Sequence, residues 1–320
     1  MTANKTLRNL SVNELLQISQ YNGLAYTIGP FSIRLTTDVS ELLTTFHQMY
    51  ADLEVAAVQP VSDFHIQIFK KTGLRRWWHP QVVFSVDSVI PFEPYPLSHA
   101  FPLSEWGLNW CIGLSAHQYI MLHSAVLEYK GVAVILPAMP GSGKSTLCSA
   151  LMLRGWRLLS DEFGLINPDT GRVHPMPRAI PLKNNSISVI RDFSDSAVLG
   201  PLYKGTRKGD VAHLAPLADS LLRQHETAMP AVVVFPHYQA GSQCVLNVQE
   251  KSMAFTRITK NSFNYYLSQR QGFNTLTDLI KQSDCYGLQY SRLDDAIKVL
   301  TERVEQKAEQ LLITGQGDNL

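Results

Sequence analysis

The sequence has few cysteines, no long apolar run and no surplus of either charge. Its 320 residues include only four cysteines (Cys111, Cys148, Cys244 and Cys285), whose wide spacing suits neither a zinc knuckle nor a disulfide framework. Apolar runs stay well short of the roughly 20 residues that a membrane-spanning helix needs. The N-terminal residues carry charges and amides where a signal peptide has its apolar core. We therefore expect packed, reduced thiols, no membrane partner and a cytoplasmic location.

Positive and negative side chains are nearly balanced. Lys and Arg together number 28 and Asp and Glu 27, which gives a formal net charge of +1. That balance excludes a strongly basic nucleic-acid binder and an acidic tail as the theme of the whole chain. Hydrophobic residues make up 45% and charged residues 17%, a composition typical of a globular protein rather than a disordered one. We expect no nucleic-acid partner, and any charged site must be local.

Proline crowding and hydrophobic periodicity divide the chain into two parts. In the first part, residues 64–69 and 82–86 alternate between apolar and polar as half-buried strands do. Residues 89–103 hold four prolines, which predicts a connector because proline fits neither a helix interior nor a strand ladder. We expect an N-terminal α+β region over residues 1–100 and a second domain over residues 101–320.

The second part has its own pattern of breakers and periodic segments. Prolines interrupt residues 168–229, which predicts loops and short strands there. Residues 231–235 form an apolar run typical of a buried strand. Apolar residues spaced by three and four predict helices at 274–283 and 293–311, so a C-terminal helix closes the fold.

A glycine-rich loop at residues 137–146 stands between an apolar run and a helical segment that stops at Gly155. Strand, glycine-rich loop and helix in this order form a P-loop, in which backbone N–H groups and the helix N-terminus hold phosphate oxygens. Lys144 would reach the β and γ phosphates of ATP, and the hydroxyl of Ser145 would ligate Mg²⁺. We expect the nucleotide to bind along the loop, at Pro140, Gly141, Ser142, Gly143, Lys144, Ser145 and Thr146.

One loop position departs from the strict P-loop pattern. Ala138 stands where that pattern begins with glycine. A turn rich in glycine and serine that happens to precede a helix is the alternative interpretation of this segment.

Two acids follow the helix at the end of an apolar segment, residues 156–163. Adjacent residues of a strand point to opposite faces, so only one of Asp161 and Glu162 aims at the phosphates unless the strand ends there. Phosphoryl transfer needs a carboxylate for the metal and usually another to accept a proton. We expect Asp161 to join Ser145 as a metal ligand and Glu162 to accept the proton. Two acids that solvate the end of a strand are the alternative.

A histidine is expected to lie beside the loop. If Lys130 and Gly131 are the two loop residues of a tight hairpin, the residue numbers of each facing pair add up to 261. His123 then lies across from Ala138. An imidazole there can stabilise a transferring phosphoryl group or relay a proton. A structural histidine is the alternative.

These residues together resemble the kinase core of HPr kinase/phosphorylase, whose P-loop is similar to that of phosphoenolpyruvate carboxykinases. That family has a histidine 21 residues before the P-loop lysine and an acid pair 17 and 18 residues after it, and these offsets fall on His123, Asp161 and Glu162. The resemblance implies an α/β fold with a mixed sheet, catalytic roles for His123 and Lys144, an Mg²⁺ site at Ser145, and a homo-oligomer.

The resemblance extends to a bacterial branch of HPr-kinase-related kinases, through residues 182–184, 206–209, 211–214 and 261–265. Two differences separate this chain from the HPr kinases themselves. Glu162 replaces the family's proton-accepting aspartate, which leaves the base role open to Asp161 as an alternative, and no acid stands near Ile187, where the family has a metal-binding glutamate.

Basic residues downstream of the acids form two further candidate groups. Either group could close over the phosphate or the acceptor. The first group is Arg178 with Lys183, and the second is the run of Lys204, Arg207 and Lys208. A solvated basic turn is the ordinary alternative for each group. We expect the tryptophans, Trp77 and Trp78 among them, to be core or interface residues.

The sequence therefore predicts an ATP-dependent, Mg²⁺-requiring kinase that transfers the γ-phosphate to a hydroxyl of a protein or small-molecule acceptor. His123, Lys144, Asp161 and Glu162 are its predicted catalytic residues. A nucleotide-binding regulatory or assembly factor with weak or no transfer is one alternative. A carboxykinase-like enzyme acting on a small metabolite is another.

Overall fold

The computed structural model describes residues 5–56, 61–139 and 141–313. Helices and strands are mixed along the chain. The helices are α1 (Val12–Tyr21), α2 (Ser40–Met49), α3 (Ala100–Ser115), α4 (Lys144–Leu153), α5 (Asn185–Phe193), α6 (Ala218–Leu222), α7 (Lys251–Lys260), α8 (Gln269–Gln282) and α9 (Leu293–Ile313). The strands before α3 are β1 (Lys5–Thr6), β2 (Leu24–Ile28), β3 (Phe31–Thr37), β4 (Glu54–Ala56), β5 (Phe64–Lys70), β6 (Gln81–Val86) and β7 (Tyr95–Pro96).

The strands after α3 form the other sheets. They are β8 (Ile120–Tyr129), β9 (Val132–Pro137), β10 (Arg157–Ser160), β11 (Phe163–Ile166), β12 (Val173–His174), β13 (Ile180–Lys183), β14 (Tyr203–Thr206), β15 (Gly209–Leu214), β16 (Met229–Tyr238), β17 (Val245–Val248) and β18 (Asp284–Tyr290). The predicted strands at 64–69, 82–86 and 231–235 and the predicted helices at 274–283 and 293–311 are thus confirmed.

Strands from before α3 build one sheet, in the order β1-β4-β2-β3-β5-β6-β7. Within it β3 pairs with β5 in parallel, and the other neighbours are antiparallel. Helix α1 packs against α2 and β3. Burial alternates along β3 and β6, as expected when one face of a sheet covers a core and the other does not.

Helix α3 begins inside the segment that the prolines marked as a connector. Pro102 is its third residue and is buried. Proline is tolerated there because the first N–H groups of a helix have no partner within the helix. Pro96 lies in the edge strand β7, which is also compatible with a missing N–H. The expectation that these prolines exclude regular structure was therefore wrong at both positions.

The second sheet carries the candidate site and is mixed. Its order is β12-β11-β8-β9-β16-β18-β17, and β10 also pairs with β8. Strands β9, β16 and β18 are parallel, whereas β8 and β9 form an antiparallel hairpin. Helix α4 packs against β8 and α9, while α8 packs against β16. The molecule is therefore a mixed α/β protein, in agreement with the predicted fold class at this level.

A third sheet, in the order β13-β15-β14, occupies the proline-rich region. Helix α5 also lies in this region, where only loops and short strands were expected. Its apolar residues Ile187 and Ile190 are buried against the core beneath α4. Ile187, the position at which the resembled family has a metal-binding glutamate, is therefore a core residue here.

The hydrophobic core extends across residue 100. One cluster of buried residues joins the first sheet to α3 and continues to Phe163, Leu165 and Met176. The strand that follows the two acids is thus packed against the N-terminal part of the chain. The described cysteines are unpaired, as expected. None of the helices in the described ranges combines the length and the apolar composition that crossing a membrane requires.

Candidate active site

The glycine-rich loop runs from the end of β9 directly into α4, as predicted. Gly143 is the N-cap residue of the helix, with φ of +87°, and no side chain caps this end of the helix. The N–H groups of Lys144, Ser145 and Thr146 form the first helical turn, so they have no carbonyl partner within the helix. Pro140, the first residue of the predicted cradle, lies outside the described residues.

Two tyrosines from distant strands hold the loop in place. The backbone N–H of Tyr238 donates to the carbonyl of Ser142 at 3.0 Å, and the hydroxyl of Tyr290 donates to the carbonyl of Gly143 at 3.2 Å. A Cβ atom on Gly143 would lie 2.5 Å from the Tyr290 oxygen, so glycine is required for this close approach. Nothing in the sequence pattern identified either tyrosine.

Lys144 and Ser145 both bond to Asp161. The Lys144 ammonium donates to the backbone carbonyl of Asp161 and, at 3.0 Å, to its Oδ1. The Ser145 hydroxyl donates to Oδ2 at 2.8 Å. Lys144 and Asp161 are 8% and 5% exposed, so this is a buried ion pair. Burial alone would lower the pKa of Lys144, but the carboxylates of Asp161 and Glu162 outweigh it and raise the pKa, so the lysine is charged.

The two acids lie in a turn between strands rather than inside one. Strand β10 ends at Ser160, whose hydroxyl accepts the N–H of Phe163 at 3.0 Å and closes the turn. Strands β10 and β11 then pair with successive stretches of β8, with Asp161 and Glu162 between them. The strand ends at Ser160, before both acids, which is the case in which the prediction allowed both of them to face the phosphates.

Glu162 is a carboxylate surrounded by positive charge. Burial alone would raise its pKa, but the charges of Lys144 and Lys208 outweigh burial, with a smaller effect of Lys183, so the pKa is lowered. No described residue forms a hydrogen bond or a close ion pair with this carboxylate. The carboxylate is therefore ionised and can accept a hydrogen bond from an acceptor hydroxyl, while its lowered pKa makes it a weaker base than an ordinary glutamate.

The β8–β9 hairpin has the predicted register up to Ser124 and Pro137, but the pairing stops there, before His123 and Ala138, and the N–H of His123 donates to the carbonyl of Asn261 at 2.6 Å. Facing residues of β8 and β9 sum to 261, from Tyr129 with Val132 to Ser124 with Pro137, so His123 is the next position towards the loop. It pairs with Phe163 on the other side of β8. Its ring lies 5.8 Å from that of Phe263.

The surroundings of His123 favour the neutral form of its imidazole. Burial lowers its pKa, and the charge of Lys144 adds to this effect, while Glu162 and Asp161 act in the opposite direction. A neutral ring can donate one hydrogen bond and accept another, so proton relay fits this environment better than charge neutralisation. All four predicted catalytic residues thus act on one another electrostatically.

The basic residues downstream divide into two groups. Arg178 is buried and pairs with Glu105 at 2.6 Å, so it fastens the following segment to α3 and is not free for phosphate. Lys183 and Lys208 instead place positive charge near Glu162. Closure of either group over phosphate or acceptor stays a prediction, with Lys183 and Lys208 as the basic residues whose charge reaches Glu162.

Two residues from the resembled segments support the site indirectly. The Asn264 side chain accepts from the N–H of Met121 at 2.9 Å and donates to the carbonyl of Tyr119 at 2.7 Å, which fixes the start of β8. His213 is 1% exposed and lines a small cavity with Asp161 and Glu162. Neither ring nitrogen of His213 has a hydrogen-bond partner among the described residues.

The donors around Ser145 fit a metal that is held mainly by its substrate. No cluster of three or more His, Cys, Asp or Glu side chains suited to a metal occurs in the described part of the chain. Ser145 and Asp161 offer two hard oxygen donors 2.8 Å apart. Mg²⁺ commonly takes one or two protein oxygens and completes its octahedral shell with phosphate oxygens and water.

Comparison with known proteins adds no assignment. No family model matches the chain, and a search of curated proteins gives no significant match. The interpretation of the site therefore depends on its geometry and its chemistry.

Proposed function

We propose that this protein is a kinase that uses ATP and Mg²⁺ to phosphorylate a hydroxyl group of a protein or small molecule. One observation carries the proposal: Lys144 and Ser145, the first two residues of a helix that follows a glycine-rich loop, both bond to Asp161. A cation, a hydroxyl and a carboxylate next to free helix N–H groups form a phosphate and metal site. We also propose the HPr-kinase type of P-loop core for this mixed sheet.

The proposed reaction is an in-line displacement at the γ-phosphorus. The acceptor oxygen bonds to the phosphorus, its proton passes to Glu162, and the bond between the γ-phosphorus and the bridging oxygen breaks, so that ADP leaves. Loop N–H groups and Lys144 neutralise charge on the phosphates. Glu162 serves as the base because it is ionised and unpartnered.

Mg²⁺, when bound, would neutralise phosphate charge, with Ser145 and Asp161 as its protein ligands. For Asp161 this requires that its Oδ2 exchanges the Ser145 hydroxyl for the metal. His123 relays or shares a proton with Glu162 as a neutral imidazole.

Free cysteines in the described chain fit a reducing compartment such as the cytoplasm, which we propose as the location of the protein.

Replacement of Glu162 by Gln tests the proposal better than removal of Lys144. Lys144→Ala would leave the buried Asp161 without its partner, so lost activity in that variant could reflect lost stability. Glu162→Gln keeps the size of the side chain and removes its basicity. We expect phosphate transfer to fall by roughly 10²- to 10⁴-fold, while affinity for ATP stays within a few fold.

Transfer is measured with γ-³²P-labelled ATP and a desalted cell extract or, separately, its low-mass fraction, which distinguishes a protein from a small-molecule acceptor. Glu309→Gln, an exposed position on α9, is the matched control and should behave as wild type. Binding of ATP by the wild type without any labelled product would favour the regulatory alternative. Full transfer by Glu162→Gln would remove Glu162 from the base role.

A further inference from the structure

Glu162 lines an open groove of about 480 Å³ whose walls include several aromatic rings. Trp106 and Trp110, one turn apart on α3, belong to one wall. Phe263, half exposed, and Phe163 belong to another, with their ring centroids 4.9 Å apart. The volume lies within the roughly 300–1,000 Å³ that small-molecule sites commonly have.

Two cations stand at the same groove without acidic partners. Arg207 and Lys208 come from the turn between β14 and β15 and are exposed. The Arg207 guanidinium lies 5.6 Å from the ring centroid of Tyr95, and the Lys208 ammonium lies 5.9 Å from that of Trp106. No carboxylate of the described residues forms an ion pair with either side chain. The groove therefore combines flat apolar walls with two cations, and Glu162 is the carboxylate among its lining residues.

We propose that this groove binds the phosphoryl acceptor, and that the acceptor is a small molecule with a planar apolar ring and an anionic group. The ring packs among Trp106, Trp110 and Phe263, the anionic group pairs with Arg207 and Lys208, and a hydroxyl reaches Glu162. This inference rests on the proposed kinase function, because it assigns the acceptor of that same site.

The position of the groove favours the acceptor over the adenine of ATP. In-line transfer places the attacking oxygen and the departing ADP on opposite sides of the γ-phosphorus. The residue that takes the acceptor's proton is Glu162, and it lines the groove. The side of the γ-phosphorus that faces Glu162 is then the acceptor's side, and the nucleoside lies away from it.

Calorimetric titration of the full chain with 4-hydroxyphenylacetate, in the absence of ATP, tests the inference. This probe carries a ring, a hydroxyl and a carboxylate, whereas 4-methylphenol has no carboxylate and lactate has no ring. We expect saturable binding of 4-hydroxyphenylacetate and at least about tenfold weaker binding of the two comparison compounds. Equal affinity for 4-methylphenol, or no saturable binding of 4-hydroxyphenylacetate, would overturn the assignment.

Charge variants identify the site of binding. Arg207→Ala combined with Lys208→Ala should lower the affinity for 4-hydroxyphenylacetate by about tenfold or more and leave the affinity for ATP within a few fold of wild type. Arg270→Ala combined with Lys298→Ala changes the net charge equally at exposed positions outside the groove and should have no effect. If the groove variant lowers the affinity for ATP and not the affinity for the probe, the groove holds the nucleotide and the proposal is wrong.

Parallel titrations with ATP separate this inference from the proposed function. Binding of ATP without binding of the probe overturns the acceptor assignment and leaves the nucleotide site standing. Binding of the probe that depends on Arg207 and Lys208, in a chain that does not bind ATP, supports the ligand class while the kinase proposal fails.

Discussion

His213 is an imidazole that folding removes almost completely from water. Its ring lies edge-on to Phe101 at 5.2 Å, and neither nitrogen has a hydrogen-bond partner in the described structure. Burial, with a smaller contribution from the charge of Arg178, lowers its pKa from 6.5 to about 3. The folded protein therefore keeps this ring neutral at pH values where the unfolded chain protonates it.

Protonation of the unfolded chain gives His213 a definite pH signature. Below pH 6.5 the unfolded state binds a proton at His213, whereas the native state does not. The free energy of unfolding therefore falls as the pH falls from 6.5 towards 3, by about 1.4 kcal/mol per pH unit from this residue. Urea unfolding at pH 7.5 and 5.5 measures the effect. His213→Leu should lose less stability over this interval than wild type, whereas His225→Leu, at an exposed position, should lose as much. Equal losses in all three proteins would contradict a buried, neutral His213.

The loop between β9 and α4 shows why two glycines with similar backbone angles are not equivalent. Gly141 and Gly143 have φ of +85° and +87°. A Cβ atom at Gly141 would meet nothing within 4 Å, whereas at Gly143 it would lie 2.5 Å from the Tyr290 oxygen and 2.9 Å from Cβ of Tyr238. Only the second glycine is required both by its angle and by its neighbours.

Alanine substitutions at the two glycines should separate these effects. Gly141→Ala costs the strain of a left-handed alanine, about 1–2 kcal/mol of the free energy of unfolding. Gly143→Ala adds a steric overlap that pushes the loop off Tyr238 and Tyr290, so we expect a larger loss of stability and a loss of ATP affinity of about tenfold or more. Urea unfolding and ATP titration of both variants provide the measurements. Identical behaviour of the two variants would show that the tyrosines do not shape the loop.

Elements with local signals could be predicted from the sequence. The two-residue turn at Lys130 and Gly131, both with positive φ, set the hairpin register and hence the position of His123. Helix α4 ends as its glycine indicated, with the N–H of Gly155 bonded to Met152 and that of Trp156 to Leu151. These features depend on neighbouring residues alone, so no tertiary information was needed.

Elements that depend on tertiary contacts were not predicted from the sequence. Helix α5 was missed because the surrounding prolines suggested loops, although Ile187, Ile190 and Phe193 recur at helical spacing. The break in the strand at Ser160 depends on a side-chain hydrogen bond that no periodicity reveals. Trp77 and Trp78 are 73% and 65% exposed, so the expectation of core residues was wrong for them and that of interface residues stays a prediction.

At the scale of the whole molecule, the candidate site joins a local motif to distant parts of the chain. His123, the loop and the two acids lie within about forty residues of sequence, so their convergence followed from one hairpin and one helix. The tyrosines that hold the loop come from β16 and β18, and the aromatic groove adds residues from α3 and from the segment after α7. Those contributions arise only from the arrangement of the sheets.

The packing of the first sheet also bears on the site. Its core continues through α3 to Phe163, the residue immediately after Glu162. Arg178, paired with Glu105, fastens the segment after the acids to the same helix. The N-terminal part of the chain therefore supports one wall of the proposed acceptor groove.

The most direct test of the account is the binding of ATP to the full chain by isothermal titration, with and without Mg²⁺. We propose that the loop amides, Lys144, Ser145 and Asp161 together hold a nucleotide phosphate and its metal. We expect one ATP per chain, bound more tightly with Mg²⁺ than with EDTA. Absence of ATP binding under both conditions, or binding of the same strength in the presence of Mg²⁺ and EDTA, would contradict the account.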